Sequence, residues 1–508
     1  MRRLGIVDLG SNTARLVVFG YEPGLWFRLI DEIREPVRLG EGMGRGSALE
    51  PEAIERAVAA LTLYAHFTAA TALDRPRVIA TSALRDAANA ERFFERARHL
   101  ELSVEVLSGE AEAALGVRAV ANSFAVEDAW VMDLGGGSAQ ISEMRARSWV
   151  AGRAYPLGAL RLTEAHLASD PPRRAEVAAL EAALAAELDE PALAMRGRPL
   201  PLVAMGGTIR NLTRAVQKRC GYPLGRVHGY FLKTADLAAL TADLLALPLD
   251  KRRRIGGIHP DRADVILAGA LVYRWLLTRA EREGLWISGY GVREGAFLER
   301  FLPPPHLHPD VRAFSVENLF QLYAQPRAHT ANVRRLARRI FEGLAPLHQL
   351  PPAAAELLDA AAWLHDIGMT VGYHKHHKHG AYLVETTHLL NGFTHREQVL
   401  VMLLVRYHRR GSPSLGVWRE LVEPGDKGLL LRLAACLRLA EYLERARAGQ
   451  VRDVRVWIGP KTATLELLAR EEPVVEMWEA MKHAALFEQA FGRRLILKRS
   501  PETHGVGT

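Results

Sequence analysis

The chain has 508 residues, a net charge of +8, and a composition 49% hydrophobic and 24% charged, which is too long for one core and predicts three or four domains. No apolar run approaches the roughly 18 residues of a membrane span, and Asp8 interrupts the only leader-like start, Met1-Arg-Arg-Leu4. The two cysteines, Cys220 and Cys436, form no metal or disulfide pattern and read as small buried apolar residues, so the expectation is a cytoplasmic protein with no membrane association.

In chain order, Leu4 to Leu9 is an apolar run with Asp8 near its end, then Gly10-Ser-Asn-Thr13, then an alternating run from Ala14 to Phe19. Ala53–Thr71, Ala87–His99 and Gly109–Ala121 repeat apolar residues at helical spacing, and Val78–Ala80 and Ser103–Leu107 read as strands. The opening pattern then recurs: Trp130-Val-Met-Asp-Leu134, a corner Gly135-Gly-Gly-Ser138, and Ala139–Ile141. An Ala-rich helix over Arg174–Leu188, a third glycine turn at Gly206-Gly-Thr208, a helix starting near Arg262, and a fourth glycine pair after Leu285 complete this region. Such duplication predicts two similar α/β lobes around a cleft, over 1–126 and 127–302. The Pro-rich stretch Phe301–Pro309 ends the second lobe. An all-helical domain is expected over 311–448 and a small α+β domain over 449–508, with strands Val454–Ile458, Thr462–Leu468 and Arg494–Lys498 around a helix Val474–Phe491.

Several of these segments could carry chemistry. A hairpin with Asp at a Gly-rich bend leaves backbone N–H groups open to phosphate oxygens, because glycine permits close approach. Gly10, Ser11, Asn12 and Thr13 form one such bend and Gly135, Gly136, Gly137 and Ser138 the other, while Asp8 and Asp133 sit where a divalent cation could be held directly or through water. Ser108 reads as a helix cap with Glu110 and Glu112 in the first turn. Those acids complement the helix dipole, and one of them could take a proton from an attacking water. Thr81 and Ser82 offer capping hydroxyls, and Arg85 in the next turn could grip phosphate in a bidentate manner or lie on the surface.

Taken together and in order, Asp-Leu-Gly-Ser-Asn-Thr, Ala80-Thr-Ser-Ala-Leu-Arg85, Ser-Gly-x-x-Glu-Ala, Asp-Leu-Gly-Gly-Gly-Ser, Pro156-Leu-Gly-Ala-Leu-Arg-Leu-Thr163 and Ser288-Gly-Tyr-Gly-Val-Arg-Glu294 resemble the exopolyphosphatase / guanosine pentaphosphate phosphohydrolase (Ppx/GppA) family of the actin-like ATPase superfamily. The resemblance implies two actin-like (ribonuclease H-like) lobes and an enzyme dependent on Mg²⁺, with Mn²⁺ as a substitute. It places the general base at Glu112, the metal- and phosphate-site aspartate at Asp133, the first phosphate turn at Asp8 and Gly10 to Thr13, and the second at Gly135 to Ser138. It puts the phosphate-gripping arginine at Arg85 and the nucleotide-turn equivalent at Gly206, Gly207 and Thr208. The family usually continues Gly-Gly-Gly-Ser-Thr-Glu, whereas this chain has Gln140, which hydrogen-bonds but brings no negative charge to a cation. A homodimer is also implied.

The region from His306 onward holds 27 Lys+Arg against 21 Asp+Glu and 14 of the 19 histidines, which fits a polyanionic partner rather than a specific nucleic acid. Residues 311–448 resemble an HD-type helical domain whose ligand positions fall on His329, His365, Asp366 and Glu441. Glu441 replaces the usual Asp, so the set reads as vestigial and the domain as a basic binding surface. His374-Lys-His-His-Lys-His379 and Arg406-Tyr-His-Arg-Arg410 read as phosphate lining, a metal cluster or a solvated loop. The expected polyphosphate track comprises His376, His377, Lys378, His379, Arg406, His408 and Arg409. The leading expectation is a processive exopolyphosphatase acting on linear polyphosphate. Hydrolysis of the 5′ terminal phosphate of guanosine pentaphosphate and a non-catalytic polyphosphate or nucleotide sensor are the alternatives.

Overall fold

Two hairpins organise the first part of the molecule, and each follows from its sequence. Mostly buried, largely apolar runs make the arms, and a four-residue bend joins them. The computed structural model describes residues 1–44, 46–100, 102–323 and 325–501, and the chain forms two compact units, Met1–Val311 and the residues from Arg312 onward.

In the first unit, β1 (Arg2–Leu9), β2 (Ala14–Glu22), β3 (Trp26–Glu35), β4 (Arg77–Ala80) and β5 (Val104–Val106) form a sheet of order β3-β2-β1-β4-β5. The second sheet uses β6 (Ala129–Leu134), β7 (Ala139–Arg145), β8 (Ser148–Tyr155), β9 (Leu202–Met205), β10 (Phe231–Lys233) and β11 (Gly284–Ile287) in the order β10-β11-β9-β6-β7-β8. Both contain an antiparallel meander whose first strand runs parallel to the next strand added, β1 with β4 and β6 with β9. The registers match: Asp8 pairs with Arg15 and Leu9 with Ala14, as Asp133 pairs with Gln140 and Leu134 with Ala139. This is the mixed α/β, two-lobe architecture that the duplicated motif predicts.

The division at residue 126 is not clean, because the lobes exchange helices. Gly109–Ala121 packs on the second sheet, its Val117, Val120 and Ala121 joining Val131, Met144, Val203 and Met205 in one buried cluster. Val292–Phe301 returns to the first sheet, where Phe297 stacks on Phe19 at 4.2 Å and Phe301 meets Phe27 at 5.2 Å. The sequence pattern missed β3 and β8, which are edge strands whose exposed positions break the apolar run.

Other expectations shift locally. The helix expected over 87–99 is Ala90–Ala97, running into a 3₁₀ turn at Arg98–Leu100, and a separate short helix, Ser82–Asp86, precedes it. Between them Ala88 N–H bonds Ser47 O at 2.8 Å, and the Asn89 amide holds both Leu49 backbone groups, so the chain is pinned out of the helix. Near Arg262 there is one 3₁₀ turn, Pro260–Arg262, and the helix itself is Ile266–Arg279. The Ala-rich helix runs on through Pro191 to Gly197. Cys436 is buried, but Cys220 is exposed just past the helix Gly207–Arg219.

In the second unit the helices Arg327–Gly343, Ala353–Leu364, His395–Tyr407 and Asp426–Leu443 surround one core, beside β12 (Val451–Ile458), β13 (Thr462–Ala469) and β14 (Arg494–Pro501). Leu336, Leu364, Leu404 and Leu437 share that core with Leu465 and Phe487, so residues 449–501 are not packed as a separate domain. The single helix expected over 474–491 is Val474–Met481 followed by Ala484–Phe491. No helix among the described residues is long and apolar enough to cross a membrane.

Candidate active site

Each hairpin bend closes in the same way: Gly10 N–H bonds Thr13 O at 3.2 Å, and Gly135 N–H bonds Ser138 O at 2.9 Å. Closure consumes the first N–H only, so those of residues 11, 12, 136 and 137 are not spent on it. The bends face each other in contact. A Cβ on Gly136 would lie 3.2 Å from Asn12 N, and one on Gly137 2.7 Å from Ser11 Oγ, so glycine is what lets the two backbones meet. Behind the second bend, Ala159 and Leu160 N–H groups hold the carbonyls of Gly135 and Gly136 at 3.0 and 2.9 Å, which explains the Pro156-Leu-Gly-Ala-Leu motif as a support.

A cavity of about 120 Å³ opens between the bends, lined by Asp8, Gly10, Ser11, Asn12, Thr13, Glu112, Asp133, Gly135, Gly136, Ser138, Gly206 and Gly207. The helix Gly109–Ala121 turns Glu112 inward and leaves Glu110 exposed, while Ser108 accepts Ala111 N–H as its cap. The buried Glu112 carboxyl is pushed up to about 7 by burial, with Arg85 pulling the other way. Burial likewise raises Asp8 and pushes Asp133 up to about 6, Asp8 adding to the effect on Asp133 and Arg210 opposing it. Two carboxylates whose charge burial disfavours, open to the cavity, offer oxygen ligands that fit a hard divalent cation keeping several waters.

Some expected members lie elsewhere. Arg85 does not line the cavity: its Nη1 donates to Glu112 Oε2 at 2.9 Å and to Leu107 O at 3.1 Å, so it holds the carboxylate rather than reaching for phosphate. Thr81 and Ser82 do line the cavity, but neither side chain caps the helix; Ser82 Oγ instead shares a hydrogen bond with Ser11 Oγ at 2.9 Å. Thr208 is buried with its methyl against Gly269, and Gly137 sits under the Ser11 and Ser82 hydroxyls, both off the cavity wall. Gln140 is buried and donates Nε2–H to Ser138 Oγ at 2.8 Å.

Four arginines that motif reading did not assign, Arg15, Arg210, Arg262 and Arg293, also line the cavity. Burial first, and then Arg34, Arg15, Arg210 and Arg293, push Arg262 down to about 9, and burial with Arg293 pushes Arg210 down to about 10. Thr13 Oγ1 and Arg293 Nη1 are buried with no hydrogen-bond partner in the protein. Crowded cations and orphaned donors around one cavity are the electrostatics of a polyanion site. The signals were local only in part. Arg293 lies inside the Ser288–Glu294 motif and Arg15 is the register partner of Asp8, but nothing near Arg262 marks it.

In the second unit His329, His365, Asp366 and Glu441 do converge, with His365 Nε2 3.1 Å from Glu441 Oε2 and His329 Nε2 3.6 Å from Asp366 Oδ2. The expected track is partly overturned: His376, His377 and His408 are buried and cannot line a surface. The helix His376–Thr386 starts at the cluster, which turns His376 and His377 inward and Lys375 and Lys378 outward. Lys378 and Arg406 remain exposed, while His379 is half-buried and Arg409 lies over the Tyr373 ring at 5.3 Å.

The sequence profile of the Ppx/GppA phosphatase family matches residues 17–303, and that of Ppx/GppA phosphatase domain III matches 311–479. Exopolyphosphatase 2 of Mycobacterium tuberculosis is 34% identical over 317 residues, 59% of this chain and 98% of that one. The guanosine-5′-triphosphate,3′-diphosphate pyrophosphatase of Vibrio vulnificus is 28% identical over 449 residues, 87% of this chain and 86% of its own. Among solved structures, an exopolyphosphatase from Cytophaga hutchinsonii shares the fold at a TM-score of 0.56 and 22% identity, over 59% of this chain and 98% of that one. The Ppx/GppA family member of Aquifex aeolicus matches at 0.50 and 30% identity, over 58% and 96%.

Proposed function

Since the chain belongs to the Ppx/GppA phosphatase family, we propose that it is an exopolyphosphatase, hydrolysing the terminal phosphate of linear inorganic polyphosphate. The observation that carries this reading is the ring of Arg15, Arg210, Arg262 and Arg293 around two facing glycine bends with Glu112 buried in the same cavity. A chain of phosphoryl groups relieves the mutual repulsion of those arginines and occupies the donors of Thr13 and Arg293 that lack a hydrogen-bond partner, Arg293 having only Glu32 at 3.7 Å.

The bend N–H groups and the arginines hold the terminal phosphoryl oxygens where charge spreads in the transition state. Glu112 orients the attacking water and takes its proton, a task suited to a carboxyl near neutrality. Arg85 occupies Oε2 and so leaves Oε1 to the water. Asp8 and Asp133 would hold a divalent cation, Mg²⁺ or in its place Mn²⁺, which when bound neutralises phosphoryl charge. The exposed Lys378 and Arg406 of the second unit bind distal phosphates, which favours long substrates and makes binding salt-sensitive.

A second reading, hydrolysis of guanosine pentaphosphate, is favoured by the V. vulnificus relative, whose similarity runs through both units. Phosphate release from long polyphosphate and from guanosine pentaphosphate, measured side by side with Mg²⁺ or Mn²⁺, separates the two. The proposal expects the higher kcat/KM on polyphosphate. A preference for the nucleotide selects the second reading, and tight binding without release from either would show a binding protein instead.

A further inference from the structure

Six side chains from five helical segments of the second unit meet at one buried place: His329, His365, Asp366, His376, His408 and Glu441. Three of the rings are oriented by the backbone. His365 Nδ1 lies 2.7 Å from Ala362 O, His376 Nδ1 3.0 Å from Tyr373 O, and His408 Nδ1 2.7 Å from Val405 O. A carbonyl only accepts, so each Nδ1 carries the hydrogen, and in a neutral ring Nε2 is then a lone pair.

Two of those lone pairs, on His376 and His408, point at each other, and the third, on His365, faces the fourth ring. His376 Nε2 is 3.1 Å from His408 Nε2, and His365 Nε2 is 3.4 Å from His329 Nε2. Carboxylate oxygens join them: His376 Nε2 lies 3.3 Å from Asp366 Oδ1, and Glu441 Oε2 lies 3.1 Å from His365 Nε2 and 3.5 Å from His329 Nε2. Asp366 Oδ1 and Glu441 Oε2 are buried without an aligned hydrogen-bond donor, as is His329 Nδ1. Facing lone pairs at this depth are repulsive unless a cation sits between them.

The spacings fit a metal ion. Donors about 2.1 Å from a metal stand about 3.0 Å apart at octahedral angles and about 3.4 Å apart at tetrahedral ones, and the contacts here run from 3.1 to 3.7 Å. The donors fall into two groups that share one residue: His329, His365 and Asp366, with Glu441 beside them, and Asp366, His376 and His408. The Nδ1–H to carbonyl bonds are the outer contacts that fix metal-ligating histidines.

We propose that the second unit holds two divalent transition-metal ions bridged by Asp366, one bound by His329, His365 and Glu441 and the other by His376 and His408. Four imidazoles with two carboxylates select zinc, iron, cobalt or nickel over Mg²⁺. The site is separate from the Asp8 and Asp133 carboxylates of the first unit. The competing cations are the Arg447 guanidinium, which pairs with Asp366 Oδ2 and leaves Oδ1 to face the histidines, and a proton on His365, which burial disfavours but Asp366 and Glu441 favour, pushing that ring up to about 9.

The full-length chain carrying Asp8→Asn and Asp133→Asn, which silence the first unit's carboxylates, is stripped with chelator and equilibrated with Zn²⁺ or Co²⁺. After gel filtration, elemental analysis should find two ions per chain, with visible Co²⁺ d–d absorption and a melting temperature raised by roughly 5 °C or more. His408→Gln should remove one ion and His365→Gln the other. If His408→Gln does not fold, His376→Gln serves for the second position, and the stoichiometry and spectrum of the unsubstituted cluster decide alone. No retained metal and no thermal shift would establish the protonated ion-pair cluster and overturn the proposal, and a single ion per chain would overturn the bridged pair.

Discussion

Glu112 and Arg85 divide a task that the residue pattern distributes differently. Arg85 bonds the carboxylate that does the chemistry, so its effect on rate should pass through the ionisation of Glu112. A base pushed up to about 7 predicts kcat/KM falling about tenfold per pH unit below that value. Arg85 pulls Glu112 down, so Arg85→Ala should move the acid limb to higher pH, with a larger loss at pH 7 than at pH 9 and little change in KM. A raised KM with an unmoved limb would return Arg85 to phosphate binding. The same burial has a stability consequence. A carboxyl raised in the fold from 4.5 to about 7 contributes stability below its unfolded value and loses it as pH rises through 7. At pH 8, Glu112→Gln should therefore melt no lower than the wild type; a clear drop would mean that the ionised pair with Arg85 is structural.

At the level of elements, the bends depend on glycine where the backbone leaves no room. Gly206 has φ 99° and would place a Cβ 2.6 Å from Asp133 Oδ1. Gly206→Ala should displace that carboxylate, cost about 1–3 kcal/mol in thermal unfolding and lower kcat at least tenfold; an active, equally stable variant would mean that Asp133 tolerates movement. Gln140 sits across the hairpin from Asp133, close enough for a charge there to be felt. Gln140→Glu should lower the half-saturating Mg²⁺ concentration several-fold in phosphate-release assays, and an unchanged Mg²⁺ curve would place the cation away from this strand pair. These bends were legible in the sequence because spacing and glycine content are local properties. The arginine ring was not, since Arg15, Arg210, Arg262 and Arg293 come from four separate segments that only folding brings together. Helix phase explains the other miss: a cluster of histidines and lysines looks uniformly basic until a helix turns His376 inward and Lys378 out.

For the whole molecule, the duplicated motif foretold two lobes but not the exchange of Gly109–Ala121 and Val292–Phe301 between them, because chain order carries no sign of which sheet a helix covers. That exchange makes residues 1–311 one unit, and 59% of this chain spans 98% of the M. tuberculosis relative. Removing residues 312–508 should leave hydrolysis of short polyphosphate near normal and lower kcat/KM on long chains about tenfold. Equal losses on both would count against distal binding by the second unit. The central claim is that facing bends hold a phosphate chain while Glu112 activates water against it, and its most direct test is full-length Glu112→Gln assayed for both binding and turnover. Polyphosphate affinity should stay within a few-fold of wild type while phosphate release falls by about 10²–10⁴. Release at a near-wild-type rate from that variant would contradict the account.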